Sequence, residues 1–137
     1  MKPTVLLYNF NDTERNRKIT LALMPLGFRL KKVMKENYNQ PIGYIAGVKG
    51  IESIEEKYEG EELEDEMLIM VGLKSAQIDS LIAAFRKNGI PKVNCKAILT
   101  ETNQYWNAIE LYKELKLEHE TMSKKSSQDK VDNNTVE

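Results

Sequence analysis

Two short apolar runs place the tightest limit on what this chain can fold into. They are "TVLLYNF" at residues 4–10 and "EMLIMVGL" at residues 66–73, and each carries apolar side chains on both alternating faces. Such runs are typical of central strands that are covered on both sides of a sheet. A segment with helical spacing of apolar residues follows each run at once. The chain is therefore expected to build an α/β domain around two buried strands.

Each helical segment carries a start signal and leads to a more polar strand. Asn11 or Asp12 can cap the first helix, Ser75 can cap the second, and Pro25 is expected to disturb the last turn of the first. The strands that follow, "FRLKKVM" and "KVNCKAIL", contain interspersed lysines. Lysines of this kind suit the edge of a sheet better than its centre.

Strand, helix and strand thus occur twice, and this pattern predicts a four-stranded sheet. Two spatial orders fit: 2-1-3-4, a parallel doubly wound sheet, and 4-1-3-2, a ferredoxin-like antiparallel α+β sheet. The parallel form with order 2-1-3-4 is preferred. Roughly thirty residues, with a predicted short acidic helix at 51–58, separate the second strand from the third. A connection of this length suits a crossover better than a hairpin.

The two units also resemble each other in sequence. When the second unit is aligned with the first at offsets of 62 to 64 residues, five pairs of positions coincide: Asn9 with Gly72, Gly27 with Gly89, Lys32 with Lys96, Asn39 with Asn103 and Gln40 with Gln104. We predict an internal duplication of residues 4–40 and 66–104 within a single domain of residues 1–120. A longer helix is expected over about residues 103–120. Residues 121–137 have almost nothing apolar to bury and are expected to form a disordered tail.

Composition argues against several classes of protein and site. The N-terminus turns polar too soon for a signal peptide or a membrane span, so a cytoplasmic location without membrane contact is expected. Cys95 and His119 are the only residues of their types, which excludes an internal disulfide and the usual zinc site. No metal, cofactor or catalytic residue is predicted. The basic residues of the N-terminal half lack interleaved aromatic residues, so nucleic acid is an unlikely partner.

Polar side chains follow the predicted strands, and the carboxyl ends of parallel strands share one edge of a sheet. Ligands of open α/β sheets bind at that edge. The expected ligand-binding residues there are Asn39, Gln40, Lys96, Thr100, Thr102 and Asn103. Helix N-termini at this edge could hold an anion through backbone N–H groups. The alternative is that Thr102 or Asn103 only caps a helix, and both roles can hold at once.

The stretch "KAILTETNQYW" at residues 96–106, with "ELKLEH" at residues 114–119, resembles a bacterial family known as domain of unknown function 3783. The positions that match the family's signature in order and spacing are Lys96, Thr100, Thr102, Asn103 and Trp106. The runs "VLLYNF" and "NQPIGYIAG" look like the N-terminal part of the family, so the resemblance is expected over residues 4–120. Glu101 stands where the family usually has proline. The resemblance implies no established activity, catalytic residue or cofactor.

The favoured hypothesis is a small cytosolic module without catalytic chemistry. It would bind a small ligand or a protein partner at the carboxyl edge of its sheet. The alternative is an enzyme acting on a small anionic substrate. In that case Lys96 or Lys32 would stabilise charge, and Thr100 or Thr102 would donate hydrogen bonds. Nucleic-acid binding ranks third.

Overall fold

Two buried strands form the centre of the sheet, as the apolar runs predict. The structure is a computed structural model, and it describes residues 2–118. Every residue of β1 (Thr4–Tyr8) and of β3 (Met67–Val71) is buried. The more exposed strands β2 (Arg29–Val33) and β4 (Cys95–Ile98) lie outside them. The strand order is β2-β1-β3-β4, so the mixed α/β class and the order 2-1-3-4 are confirmed.

The preference for a parallel sheet is wrong at its centre. Strand β1 pairs with β2 in parallel, and β3 pairs with β4 in parallel. The two central strands are antiparallel, with Tyr8 opposite Met67 and Thr4 opposite Val71. The carboxyl ends of β1 and β2 therefore lie at the opposite end of the sheet from those of β3 and β4. The four carboxyl ends do not share one edge.

The connection between β2 and β3 returns to the end of the sheet that it left, so it needs no crossover. It contains the short helix α2 (Ile42–Ala46) and then runs through residues 47–66 without helix or strand. The backbone N–H of Tyr58 donates to the carbonyl oxygen of Glu36 at 2.9 Å, which brings the chain back beside β2. The predicted acidic helix at 51–58 does not form. Like charges four residues apart, at Glu52 and Glu56, disfavour it.

Helices cover both faces of the sheet, and alternate residues of the central strands point into two apolar cores. Helices α1 (Thr13–Leu23) and α3 (Ser75–Lys87) cover the first face. The strand residues of that core are Val5, Leu7, Leu68 and Met70. Helix α2 and a helix α4 over residues 108–118 cover the second face. The strand residues of that core are Leu6, Tyr8, Val33, Met67, Ile69, Val71 and Cys95.

The predicted helix ends hold for α1 but not for α3. The side chain of Asp12 accepts a hydrogen bond from the backbone N–H of Arg15 at 3.1 Å and so caps α1. Pro25 lies in a 3₁₀ turn, Met24–Leu26, directly after α1, as predicted. Ser75 is the first residue of α3 rather than its cap. The residue at the cap position is Lys74, and the Gln77 side chain accepts a hydrogen bond from its backbone N–H.

The predicted C-terminal helix begins five residues later than expected. A 3₁₀ turn, Asn103–Tyr105, comes first, and the α-helix starts at residue 108. Asn107 caps it, because its side chain accepts from the backbone N–H of Glu110 at 2.9 Å. The Glu110 carboxylate in turn accepts from the N–H of Asn107 at 3.1 Å, which completes a capping box.

The two predicted units share their element order and two left-handed turns. The backbone at Asn9 has φ 65°, and at the aligned Gly72 it has φ 72°. Gly27 and Gly89, also aligned, have φ 78° and 66°. These turns end the first strand and the helix of each unit, which is consistent with a duplication. Common descent of the two units stays a prediction.

The outer strands pair with the central strands in the same register in both units, but the sequence offset between the outer strands differs from the expected one. Arg29 stands opposite the first residue of β1, and Cys95 stands opposite the first residue of β3. When the central strands are aligned end to end, Lys96 is equivalent to Leu30. The expected equivalence of Lys32 and Lys96 is therefore out by two positions.

Two structural features are absent from residues 2–118. This part of the chain has no helix with the length and apolar character needed to cross a membrane. It also has no group of three or more His, Cys, Asp or Glu side chains arranged to hold a metal ion. The predicted tail at 121–137 lies outside the described residues.

Candidate functional site

Asn39 and Gln40 anchor the acid-rich residues 47–66 between β2 and β3, which we call the acidic connection. The Gln40 side chain, 8% exposed, donates to the carbonyl oxygen of Ile54 and accepts from the N–H of the same residue, both at 2.8 Å. The Asn39 amide donates to the carbonyl oxygen of Glu56 at 2.7 Å. These side chains supply partners to a segment that has no strand or helix to satisfy its backbone.

Thr100 and Asn103 close the turn that follows β4. The Thr100 hydroxyl accepts from the backbone N–H of Asn103 at 3.0 Å, and the side-chain oxygen Oδ1 of Asn103 accepts from the backbone N–H of Thr100 at 2.8 Å. The Asn103 amide also donates to the carbonyl oxygen of Ile98 at 3.0 Å. Thr102 is exposed and its side chain makes no capping bond. Thr100 and Asn103 therefore bond reciprocally across this turn, whereas Thr102, the residue before the 3₁₀ turn, makes no side-chain capping bond.

Backbone contacts, rather than side chains, join the two predicted polar stretches. The N–H of Ile42 donates to the carbonyl oxygen of Trp106 at 2.8 Å. Gly43 lies at this crossing, and a Cβ atom there would stand 2.9 Å from the carbonyl oxygen of Gln104. The close approach of the two chain segments thus explains this glycine. The structure brings the segments together but directs their polar side chains to backbone groups.

Lys96 is separated from the other five predicted site residues. It pairs with Leu68, whose side chain belongs to the core under α1 and α3. It also lines a cavity of about 260 Å³ between α3 and β4, which none of the other five lines. We call this space the α3–β4 cavity. Its lining consists of Leu81, Ile82, Phe85, Arg86, Ile90, Lys92, Val93 and Lys96.

The α3–β4 cavity combines a buried apolar floor with a charged rim. Leu81, Phe85, Ile90 and Val93 are each no more than 5% exposed. Arg86 and Lys92 are exposed, and Lys96 is half-buried. Such a combination of apolar surface with a few convergent polar groups is typical of small-molecule sites.

In the described part of the chain, three cationic residues and no acidic residue line this cavity. Within residues 2–118, no ion pair includes Arg86, Lys92 or Lys96. Burial lowers the pKa of Lys96, and the positive charge of Lys92 lowers it further. A half-buried ammonium group that faces another cation is destabilised in its charged form. A bound anion would offset that cost.

Sequence reasoning selected Lys96 for its place in the polar stretch and missed Arg86 and Lys92. A signal for Lys92 was present, because Lys92 and Lys96 are four residues apart where the chain approaches and enters β4. Side chains at even spacing in extended chain point to one face. Their convergence with Arg86 depends on how α3 packs against the sheet, which spacing does not show.

A second polar cluster lies on the opposite face, between the acidic connection and α4. The Tyr112 hydroxyl donates to the Asp65 carboxylate at 2.8 Å. The Lys116 ammonium donates to Asp65 at 2.9 Å and to Glu64 at 3.0 Å, and the bond to Asp65 is the main reason that the pKa of Lys116 is raised. These groups tie the end of the connection to α4. They bond to one another, so we interpret the cluster as a contact that stabilises the fold.

The titratable groups beneath this cluster are held in their neutral forms. Burial raises the pKa of the Tyr8 phenol, whose oxygen has no hydrogen-bond partner in the described part of the chain. Burial also raises the pKa of Cys95, which is 3% exposed, and the nearby Asp65 raises it further. A thiol with a raised pKa is a poor nucleophile at neutral pH. Cys95 is therefore a buried core residue rather than a reactive thiol.

The comparison with protein families confirms the resemblance seen in the sequence. Residues 66–122 match the model of the family described as Domain of unknown function (DUF3783). The match covers the second unit and α4, rather than the whole of the expected range 4–120. Neither the curated proteins nor the solved structures provide a match. All lining residues of the α3–β4 cavity lie within the range that is similar to the family.

Proposed function

We propose that this protein is a non-catalytic module, cytosolic as the sequence predicts, that binds a small ligand in the α3–β4 cavity. The observation that carries the proposal is a buried apolar floor beside three cations that have no acidic partner within residues 2–118. Among the residues that the structure describes, none with a carboxylate, imidazole, hydroxyl or thiol lines the cavity. The cavity thus lacks the usual pairing of nucleophile and base, which favours binding over catalysis.

The size of the cavity supports a ligand of about one ring. An engineered protein cavity of about 150 Å³ holds benzene. A volume of about 260 Å³ therefore has room for one aromatic ring or a branched chain of similar size, with a short polar arm.

We infer that Asn39, Gln40, Thr100 and Asn103 serve the fold. Each of these side chains bonds to a backbone group within residues 2–118. Among the six residues selected from the sequence, Lys96 is the one that the proposed site retains. Ligand binding by the other five, including Thr102, stays a prediction.

Two one-ring compounds test the proposal. The ¹⁵N-labelled protein is titrated with phenylacetate and with its neutral isostere phenylacetamide, and amide chemical shifts are followed. We expect shifts concentrated at Leu81, Phe85 and Lys96 with at least one of the two compounds.

A variant that closes the cavity provides the decisive comparison. Ile82, 38% exposed, lines the cavity, so Ile82→Trp should fill the space with an indole ring and abolish the shifts. Leu21→Trp is the matched control, because Leu21 is an apolar residue of α1 that is 58% exposed and outside the lining. Shifts that persist in Ile82→Trp, or no shifts with either compound in the wild type, would contradict the proposal.

A further inference from the structure

We infer that the ligand of the α3–β4 cavity is an organic anion with a compact apolar body. Its negative group would lie beside Lys92 and Lys96, and its apolar body would cover Leu81 and Phe85. The inference rests on the proposed function and adds the chemical class of the ligand.

The charge of the ligand follows from how the cations are placed. Arg86 belongs to α3, Lys92 to the turn before β4, and Lys96 to β4 itself, so three separate elements each bring a positive charge to one opening. Like charges repel, and the repulsion is stronger near apolar walls than in bulk water. No carboxylate within the described residues 2–118 lines the cavity to offset it. A neutral ligand would leave this repulsion in place, whereas an anion would replace it with attraction.

The apolar body of the ligand is inferred from the buried apolar residues that line the bottom of the cavity. The side chains of Leu81 and Phe85 are 1% and 5% exposed, and the cavity gives access to them from the charged rim. A small hydrated anion, such as phosphate or acetate, would remain at the rim and leave the floor uncovered. An apolar body removes that surface from water, which stabilises the complex. The combination selects a molecule with a negative group at one end and a ring or branched chain at the other.

Three probes separate the two halves of the inference. Phenylacetate carries both the ring and the charge, phenylacetamide keeps the ring without the charge, and acetate keeps the charge without the ring. Isothermal titration calorimetry on the full chain measures each Kd. We expect phenylacetate to bind about tenfold or more tightly than phenylacetamide, because one charge-assisted contact is worth roughly that factor. It should also bind more tightly than acetate, because its ring removes apolar surface from water.

A charge variant and a matched control locate the anion. Lys96→Gln keeps most of the side-chain stem but removes one of the two charges beside the anion, so it should weaken phenylacetate several-fold and reduce its advantage over phenylacetamide. Lys87→Gln removes a charge from the exposed last residue of α3, outside the cavity, and should change neither Kd. The thermal midpoint of each variant shows that it is folded.

The possible results distinguish this inference from the proposed function. Equal Kd values for phenylacetate and phenylacetamide would overturn the anion and leave a ligand-binding cavity. Acetate binding as tightly as phenylacetate would overturn the apolar body. Undiminished phenylacetate binding in a folded Lys96→Gln variant would overturn the place assigned to the anion. If neither aromatic compound bound, the proposed function would fail together with the inference.

Discussion

A single buried amide, that of Asn103, both fixes a turn and covers part of a sheet edge. The N–H of Leu99 donates to the carbonyl oxygen of Met70 at 2.9 Å, so this residue directs its backbone towards β3. Its neighbour Ile98 therefore directs its own backbone groups away from β3, because successive residues of a strand alternate in this respect. The Asn103 amide donates to that outward carbonyl oxygen. Uncovered edges invite pairing with other chains, so this contact also protects the fold.

Replacing Asn103 with alanine should destabilise the protein much more than replacing Thr102. The N–H of Thr100 and the carbonyl oxygen of Ile98 would both lose a partner, and we expect the free energy of unfolding to fall by about 1–3 kcal/mol. Thr102→Ala should change it by less than about 0.5 kcal/mol, as for surface positions in general. Urea unfolding of both variants measures the difference. Similar losses in the two variants would show that the assignment of the turn to Asn103 is wrong.

The sequence contained the chemistry of this turn but not the direction of its side chains. Thr102 and Asn103 are the capping candidates that the sequence predicts, whereas Thr100 is predicted as a ligand-binding residue. Thr100 and Asn103 are three residues apart, the spacing of a reciprocal cap. Thr102 has an equally suitable hydroxyl and is exposed. Only the backbone path after β4 decides between them, and residue type does not specify that path.

At the level of elements, the sequence predicted the strands and their order but not the direction of the central pair. The residues of β1 and β3 are apolar on both faces, which requires burial whether their partner is parallel or antiparallel. Direction depends on the path of residues 34–66. That path is fixed by long-range hydrogen bonds, such as those between Gln40 and Ile54, and between Tyr58 and Glu36. Composition and length favoured a crossover because neither reveals such bonds.

The antiparallel pairing of β1 and β3 also explains why the predicted site residues do not lie together. Five of the six residues follow predicted strand ends, and to place them at one edge of the sheet requires four parallel strands. With the centre antiparallel, the ends of β2 and β4 lie at opposite ends of the sheet. The cavity that contains Lys96 instead lies between a helix and an edge strand. A site of this kind depends on packing between elements, which a single sequence specifies only indirectly.

Gln40 should control the order of the acidic connection. In Gln40→Ala, both backbone groups of Ile54 lose their partner, so the local free energy of opening should fall by about 1–3 kcal/mol. Hydrogen exchange followed by NMR should then show exchange of the Ile54 amide about five- to 140-fold faster, since about 1.4 kcal/mol corresponds to a factor of ten. The amides of β1 and β3 should keep their protection.

Gln104→Ala is the matched control for this variant. Gln104 occupies the aligned position of the second unit, but its side chain donates to the nearby carbonyl oxygen of Glu101 at 3.2 Å and not to the acidic connection. Its removal should leave the exchange of Ile54 unchanged. Unchanged exchange in Gln40→Ala would mean that other contacts hold the connection.

At the scale of the whole molecule, the range that matches the family is not a separate body. Its central strand β3 pairs along its full length with β1, which lies outside the range 66–122. The start of α4 is bound to the first half as well, because the N–H of Ala108 donates to the carbonyl oxygen of Tyr38 at 3.0 Å. The Arg15 guanidinium of α1 bonds to both carboxylate oxygens of Glu66, at 2.9 and 3.0 Å. Both halves of the chain thus build one hydrophobic core on each face of the sheet.

Residues 66–137 alone should therefore fail to fold as a monomer. Without β1, the buried strand β3 would become an apolar edge, and a segment of this size buries too little surface to be stable without support. We expect no cooperative thermal transition by circular dichroism and concentration-dependent association in the ultracentrifuge. Adding residues 1–65 as a separate peptide should restore a cooperative transition at equimolar ratio, because the cut falls in a stretch without helix or strand. A monomeric fragment 66–137 that unfolds cooperatively on its own would instead make the matched range an independent domain.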